Sequence, residues 1–479
     1  MSNKIDIDKK YIKDIKLEDL REKNLVKASK KLLKILTEKY KINKKNSSKI
    51  LESIIESTLS TMRERYQFKE PFCTQTEAGI KSKTALIVNP EFSGWVMLSL
   101  SIPFYQSLGD TIGYKNGQWE FNYGEIDYSP ERVNDRIYQF ISLGGINDLN
   151  IVNWVASDDT ILYIATMKVL SQNNENIQDF GKNLRNEYLK TKPLIEEKIR
   201  GAGMQTKLSL ERQEEIEWDK LPYNSKAIGN GSAMRSGCIG IFYPGKHNRK
   251  RLIALSVECS RITHNSATAI LGSVVSALFT AYALEKVPVN HWPHKLIRLL
   301  KSDKIDSYIE KSRPNDYSVY KRDKIIYVGQ WEKYLNIRFL GLNLRKDLKI
   351  MSNPVARFKY LSENFSKGCD QPGACADDCL IMAYDALLES DGTLEKLIVY
   401  SILHPGDSDT VGSVAFSWFG AYYNSPKNEN IVGHRFEELE FHDELYDLFR
   451  LNISRMVEVY YYDIYMDVAT KHMKRVFNK

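Results

Sequence analysis

Asp407, Ser408, Asp409 and Thr410 put two carboxylates and two hydroxyls into four consecutive residues, directly ahead of a small, apolar, nearly uncharged run, Val411–Tyr423. Ser157, Asp158, Asp159 and Thr160 repeat the design ahead of a second apolar run, Ile161–Leu170. Each cluster suits a helix start, because Ser, Asp and Thr cap the free N–H groups and carboxylates complement the helix dipole. Capping needs one side chain, so it leaves the second aspartate of each turn without a task. Four carboxylates with neighbouring hydroxyls are ligands for a hard divalent cation, Mg²⁺ or Mn²⁺. Adjacent helical residues point in different directions. Asp158 and Asp159 therefore face two different ions, and Asp407 and Asp409 close the cage. Two ions ~3.5–4 Å apart would orient a substrate and activate water. An EF-hand loop does not fit, because Val411 and Trp418 fall at two of its ligand positions.

Three further stretches carry weaker signals. In "GNGSAMRSGCIGIFY", Gly229 and Gly231 let backbone N–H groups approach an anion, but no G-K-[ST] follows, and taken alone a tight turn is the better reading than a phosphate cradle. His264 opens an apolar segment, where a histidine is either structural or ligand-facing. "GCDQPGACADDCL" holds Cys369, Cys375 and Cys379 without a fourth zinc ligand, which points to free thiols, with Asp377 and Asp378 as cap residues.

The elements that must position these residues are helical. Runs of apolar and small residues, Phe92–Leu108, Ile161–Leu170, Ile270–Leu284, Leu380–Leu388 and Val411–Tyr423, each follow a charged or Gly-rich loop. Clear strand alternation bounded by hairpin turns is scarce, and a G-x-G-x-x-G turn and a solenoid period are missing from the sequence. An all-α body with functional loops at helix ends is expected, behind a separate N-terminal extension over residues 1–90. Within that extension, Leu25, Leu32, Leu33 and Leu36, then Ile50, Leu51, Ile54, Ile55, Leu59 and Met62, mark two amphipathic helices.

The 479 residues carry a net charge of +7, distributed unevenly. Residues 1–50 hold 15 Lys and 1 Arg against 7 acidic residues, or +9, so the remainder is 7 − 9 = −2. The basic arm reads as a solvated helical face or as a weak nucleic-acid contact. Ile262–Leu284 has no Asp, Glu, Lys or Arg and is long enough to span a membrane. Its three Ser, three Thr, Asn and His favour a helix buried in a soluble bundle, and no membrane association is expected. Six cysteines and a polar start predict a reducing, cytoplasmic setting.

"LGDTIGYKNGQWEF" (108–121), "SLGGINDLNIVNWVASDDT" (142–160), "GNGSAMRSGCIGI" (229–241), "RITHNSATAILGSVVSALFTAYAL" (261–284), "LIMAYDALL" (380–388) and "HPGDSDTVGS" (404–413) occur in an order that resembles the ADP-ribosylglycohydrolase family, most of all its ADP-ribosylarginine hydrolase branch. The resemblance spans residues 91 to about 450, within a catalytic domain taken as 91–479. It implies a large orthogonal helical bundle with a binuclear Mg²⁺ centre, and cleavage of the N-glycosidic bond between ADP-ribose and arginine on a modified protein, releasing ADP-ribose. By motif it makes Ser157, Asp158, Asp159, Asp407, Asp409 and Thr410 metal ligands, and Asp158 and Asp159 the acid/base groups. Gly229, Asn230, Gly231, Ser232, His264 and Trp119 would contact ADP-ribose or substrate. Members acting on serine-linked ADP-ribose carry a glutamate where this chain has Gly117, with Glu120 close by but out of register. The Cys-containing loop replaces a glycine-rich substrate loop. The alternatives implied are a silent ADP-ribose reader and a hydrolase of other linkages.

Overall fold

The computed structural model describes residues 90–122, 129–172, 176–345, 347–369, 371–423, 435–449 and 451–452. The chain falls into two compact units, residues 101–448 and residues 1–100 with 449–479. The amphipathic helices and basic arm expected over 1–90 lie outside the described residues, as does most of the last segment. Pro90, the expected boundary, is the first residue of the Pro90–Tyr114 helix.

Among the described residues the 101–448 unit is almost wholly helical, its one sheet being the two-residue antiparallel pair Phe339–Leu340 and Asn343–Leu344. Its centre is the Ala267–Leu284 helix. Ser266 caps it by accepting the N–H of Ala269 at 3.2 Å, and all eighteen residues are buried. A helix apolar on every side belongs in a core, and this one, the membrane-length stretch of the sequence, is enclosed by protein. Helices Ala233–Phe242, Arg249–Arg261, Pro314–Arg338 and Ser408–Tyr423 pack around it. Phe279 meets the rings of Trp292, Trp331, Tyr384 and Trp418 at centroid distances of 5.2 to 5.6 Å. Burying one such ring contributes about 2–3 kcal/mol.

A buried ion cluster fastens the outer layer. Asp385 lies between Arg338 (2.7 Å) and Arg357, and accepts the Tyr334 hydroxyl at 2.6 Å. Burial pushes its carboxyl up, but the two guanidiniums outweigh that and hold it below the usual carboxylate range.

Two helices meet backbone to backbone, and that contact positions the site. A Cβ on Gly109 would lie 2.8 Å from the carbonyl carbon of Gly412, and one on Gly113 would lie 2.7 Å from the Cα of Asp409. Only glycine permits this crossing of the Pro90–Tyr114 and Ser408–Tyr423 helices, and Ser408 seals it by donating to the Gly113 carbonyl at 2.7 Å.

Candidate active site

The first acidic turn is built by two capping groups. Ser157 Oγ accepts the N–H of Asp159 at 3.1 Å as N-cap of the Asp158–Ser171 helix. Asp110, fully buried on the Pro90–Tyr114 helix, accepts the N–H of Ser157 at 3.2 Å and of Thr160 at 3.1 Å, together with the Thr160 hydroxyl. Ser157 and Asp110 thus satisfy the helix start, and neither Asp158 nor Asp159 is consumed by it.

The second turn faces the first. Asp407 Oδ1 accepts the N–H of Thr410 at 3.2 Å, and its Oδ2 accepts Asn230 Nδ2 at 2.9 Å. Asp409 also accepts the Thr410 N–H, at 3.0 Å. Asp159 joins the two: its Oδ1 accepts the Thr410 hydroxyl at 3.2 Å and its Oδ2 accepts the Ser413 hydroxyl at 2.8 Å. Turns separated by about half the chain therefore close on each other, and Asp158, Asp159, Asp407 and Asp409 are all buried.

A further carboxylate completes the cluster. Glu120 opens the short Glu120–Asn122 turn, where Phe121 takes a left-handed φ of 49° and donates its N–H to the Gly406 carbonyl at 3.2 Å. One oxygen from each of Glu120, Asp407 and Asp409 lies within 4.8 Å of the others, and Glu120 Oε2 is buried with no hydrogen-bond partner. Burial pushes Asp110 to about 6 despite its hydrogen bonds. Burial and then the Asp110 charge push Asp158 to about 7. Burial pushes Asp407 to about 7, with Asp159 adding to the effect. Asp159, Asp409 and Glu120 are raised well above the carboxylate range by burial first and then by the neighbouring carboxylates. So many buried carboxylates, one with an orphaned oxygen, fit a divalent cation, which would supply the missing positive charge.

A neutral wall adjoins the acids. Asn230 reaches Asp407 and, also at 2.9 Å, the Gly373 carbonyl. His264 is buried and pairs through Nδ1 with Thr263 Oγ1 at 2.8 Å; burial, then the Arg235 charge, pushes it down to about 3, so it is uncharged at neutral pH. A Cβ on Gly231 would lie 2.8 Å from His264 Cε1 and one on Gly229 3.4 Å from its Nε2, so these glycines keep the backbone open beside the ring.

Two residues proposed to touch substrate have their polar atoms engaged elsewhere. Ser232 donates its hydroxyl to the Ala269 carbonyl at 2.9 Å, fastening the loop to the central helix. Trp119 is fully buried; its Nε1–H donates to Gln139 at 2.8 Å and its ring lies edge-on to Trp154. The expectation of free thiols is corrected for two cysteines: Cys369 and Cys375, with Cα atoms 6.0 Å apart, form a disulfide, and Cys379 is free. The tight turn that joins them brings the two sulfurs into reach. Asp378 caps that turn, accepting the N–H groups of Gly373 and Cys375 at 2.7 and 3.0 Å.

The sequence pattern of ADP-ribosylglycohydrolases matches residues 106–456, a span that includes every residue of this cluster. The chain belongs to the ADP-ribosylglycohydrolase family. A protein of Acanthamoeba polyphaga mimivirus, named only provisionally as an ADP-ribosyl glycohydrolase, is 53% identical over 464 residues, covering 95% of this chain and 90% of its own. ADP-ribosylhydrolase ARH1 of Dictyostelium discoideum is 34% identical over 66% of this chain and 84% of its own. ADP-ribosylhydrolase ARH3 of Xenopus tropicalis is 24% identical over 59% and 79%. Family membership makes the chain an ADP-ribosyl hydrolase, with ADP-ribosylated substrates and ADP-ribose as product. In this family member, Asp110, Glu120 and Ser413 join the acidic cluster although the spacing of the two main turns does not call for them. Their signals were the "GD" and "WE" pairs and the serine four residues after Asp409.

Proposed function

We propose that the protein removes mono-ADP-ribose from arginine side chains, using two divalent cations, Mg²⁺ or Mn²⁺, held by Ser157, Asp158, Asp159, Asp407, Asp409 and Thr410. The observation that carries this reading is the closure of the two acidic turns through Asp159, with one Glu120 oxygen within 4.8 Å of those of Asp407 and Asp409. Bound cations would offset the carboxylate repulsion, orient the ribose hydroxyls and lower the pKa of a water. Asp158 or Asp159 accepts the proton of the attacking water as general base. The open backbone at Gly229–Ser232 receives the pyrophosphate, and neutral His264 lies against the adjoining sugar without adding charge. Cleavage develops positive charge on the ribose, which the surrounding carboxylates favour. Glu120 extends that negative field to the side where a guanidinium would depart.

Arginine is favoured over serine as the linkage because Gly117 has no carboxylate to offer; it occupies a turn with φ +76° beside the Tyr114 hydroxyl. The test is release of free ADP-ribose from arginine- and serine-linked substrates, with Mg²⁺ and with chelator. Release from arginine alone, abolished by chelator and by Asp159→Asn, is expected. Equal release from serine overturns the linkage. Tight ADP-ribose binding without release overturns the enzymatic reading in favour of a reader.

A further inference from the structure

The disulfide loop, the one departure of this chain from the family pattern that the reaction leaves unused, is bonded to both walls of the site. The Pro372 carbonyl accepts the N–H of Asp407 at 2.8 Å. The Gly373 carbonyl accepts Asn230 Nδ2, and the same amide group holds Asp407 Oδ2. The Ala374 carbonyl accepts the N–H of Asn230 at 3.0 Å, Cys375 pairs with Gly229, and the Ala376 N–H reaches the Ile228 carbonyl at 2.9 Å. A Cβ added to Gly373, which has φ +88°, would lie 3.0 Å from Asp407 Cβ, so the loop backs closely onto that carboxylate's residue. A ring closed across a sequence separation of 6 therefore seats Asp407 and Gly229–Asn230 together. Cys375 is buried, whereas Cys369 is half-buried and follows the exposed Lys367 and Gly368, so Cys369 is the end of the bond nearer to solvent.

We propose that Cys369–Cys375 is a thiol–disulfide modification site, addressed by a dithiol reductant, which tightens the site when closed and slackens it when open. A thiolate of the reductant attacks Cys369 Sγ, and the Cys369–Cys375 bond breaks. Cys375 leaves as a thiolate and takes up a proton. The second thiol of the reductant then displaces Cys369, which is protonated in turn. The reductant becomes a disulfide, and two electrons and two protons have passed to the protein. Opening restores chain entropy to the turn, so Asp407 and Asn230 lose part of their fixed geometry and both cation and ADP-ribose bind less tightly. The cation half of this inference rests on the function proposed above.

The test uses the full chain. The oxidised protein and protein reduced with dithiothreitol then desalted under argon are titrated with Mn²⁺ and, separately, with ADP-ribose. Alkylation and peptide mass mapping give the state of each cysteine. Mn²⁺ and ADP-ribose affinities are expected to fall about tenfold on reduction, equivalent to ~1.4 kcal/mol. The Cys369→Ser/Cys375→Ser double variant should behave like the reduced protein and ignore dithiothreitol. Alkylation of both cysteines without reductant overturns the proposal, as does unchanged affinity after verified reduction. It is also overturned if an additional Mn²⁺ binds on reduction, since the freed thiols would then be ligating with Asp377 and Asp378, whose atoms lie within 4.8 Å of theirs. If neither state binds Mn²⁺, the cation reading fails by itself and the ADP-ribose titration alone decides the redox effect.

Discussion

Replacing Gly113 by alanine separates the account of how the site is positioned from the account of what it contains. The substitution adds one methyl group and removes no ligand side chain. Its Cβ would stand 2.7 Å from both the Asp409 Cα and the Ser408 carbonyl carbon, which are backbone atoms that cannot rotate away. Carbon atoms rest at about 3.5 Å or more, so the Ser408–Asp409 turn must retreat by ~0.8 Å. Overpacking of this kind costs about 1–3 kcal/mol, partly offset by ~0.5–1 kcal/mol from replacing a helical glycine. The net loss of stability is expected to be about 1–2 kcal/mol. The catalytic loss should be larger, because a misplacement near 1 Å costs about a hundredfold. The assay is ADP-ribose release at saturating Mg²⁺ beside a thermal melt. Gly329→Ala serves as control: nothing lies within 4 Å of its added Cβ, so it should melt slightly higher with unchanged turnover. A Gly113→Ala enzyme with wild-type kcat and melting temperature would refute the claim that this helix crossing places Asp409.

Cation-free protein should lose stability as pH rises. Asp110, Asp158 and Asp407 keep their protons to about 6, 7 and 7 in the folded chain against 3.8 as the ordinary value, so the native state binds more protons than the unfolded state between about pH 4 and 7, and stability falls across that window. Asp110 alone, displaced from 3.8 to about 6, corresponds to ~3 kcal/mol. Chelated protein should melt higher at pH 5 than at pH 8, Mg²⁺ should restore the loss at pH 8, and a flat profile would contradict the burial argument. Asp385→Asn leaves Arg357 buried without its countercharge and Arg338 with Glu389 alone, and chemical denaturation should show a loss of about 3–5 kcal/mol. Glu440 accepts both Arg200 Nη1 and Nη2, at 2.7 and 2.8 Å, and the N–H of Ala156 at 2.9 Å, just before Ser157. Glu440→Ala should cost about 1–2 kcal/mol in stability and weaken Mg²⁺ affinity, and a variant with normal affinity would show that this strap does not hold the first turn.

The sequence announced its local chemistry more readily than its long-range geometry. Surplus aspartates at two helix starts were visible because capping requires only one side chain, and the uncharged Ala267–Leu284 run was visible as a core helix because nothing in it prefers water. Glu120 stands out of register with "GD" in the sequence, and its place in the cluster depends on the left-handed Phe121 turn, which no spacing rule anticipates. Asp110 as the second cap of the Asp158–Ser171 helix was hidden for a similar reason: its partners Ser157 and Thr160 are about fifty residues away. The disulfide escaped because three cysteines in one loop admit several pairings, and only the fold of the turn selects Cys369 with Cys375.

Bound Mn²⁺ counted by electron paramagnetic resonance, in the wild type and in Asp159→Asn and Asp409→Asn, addresses the cage itself without relying on turnover. Two ions per wild-type chain, with at least one lost in each variant while the melting curve stays cooperative, is the expected result. Wild-type protein that binds no Mn²⁺, or variants that bind it as well as the wild type, would contradict the account.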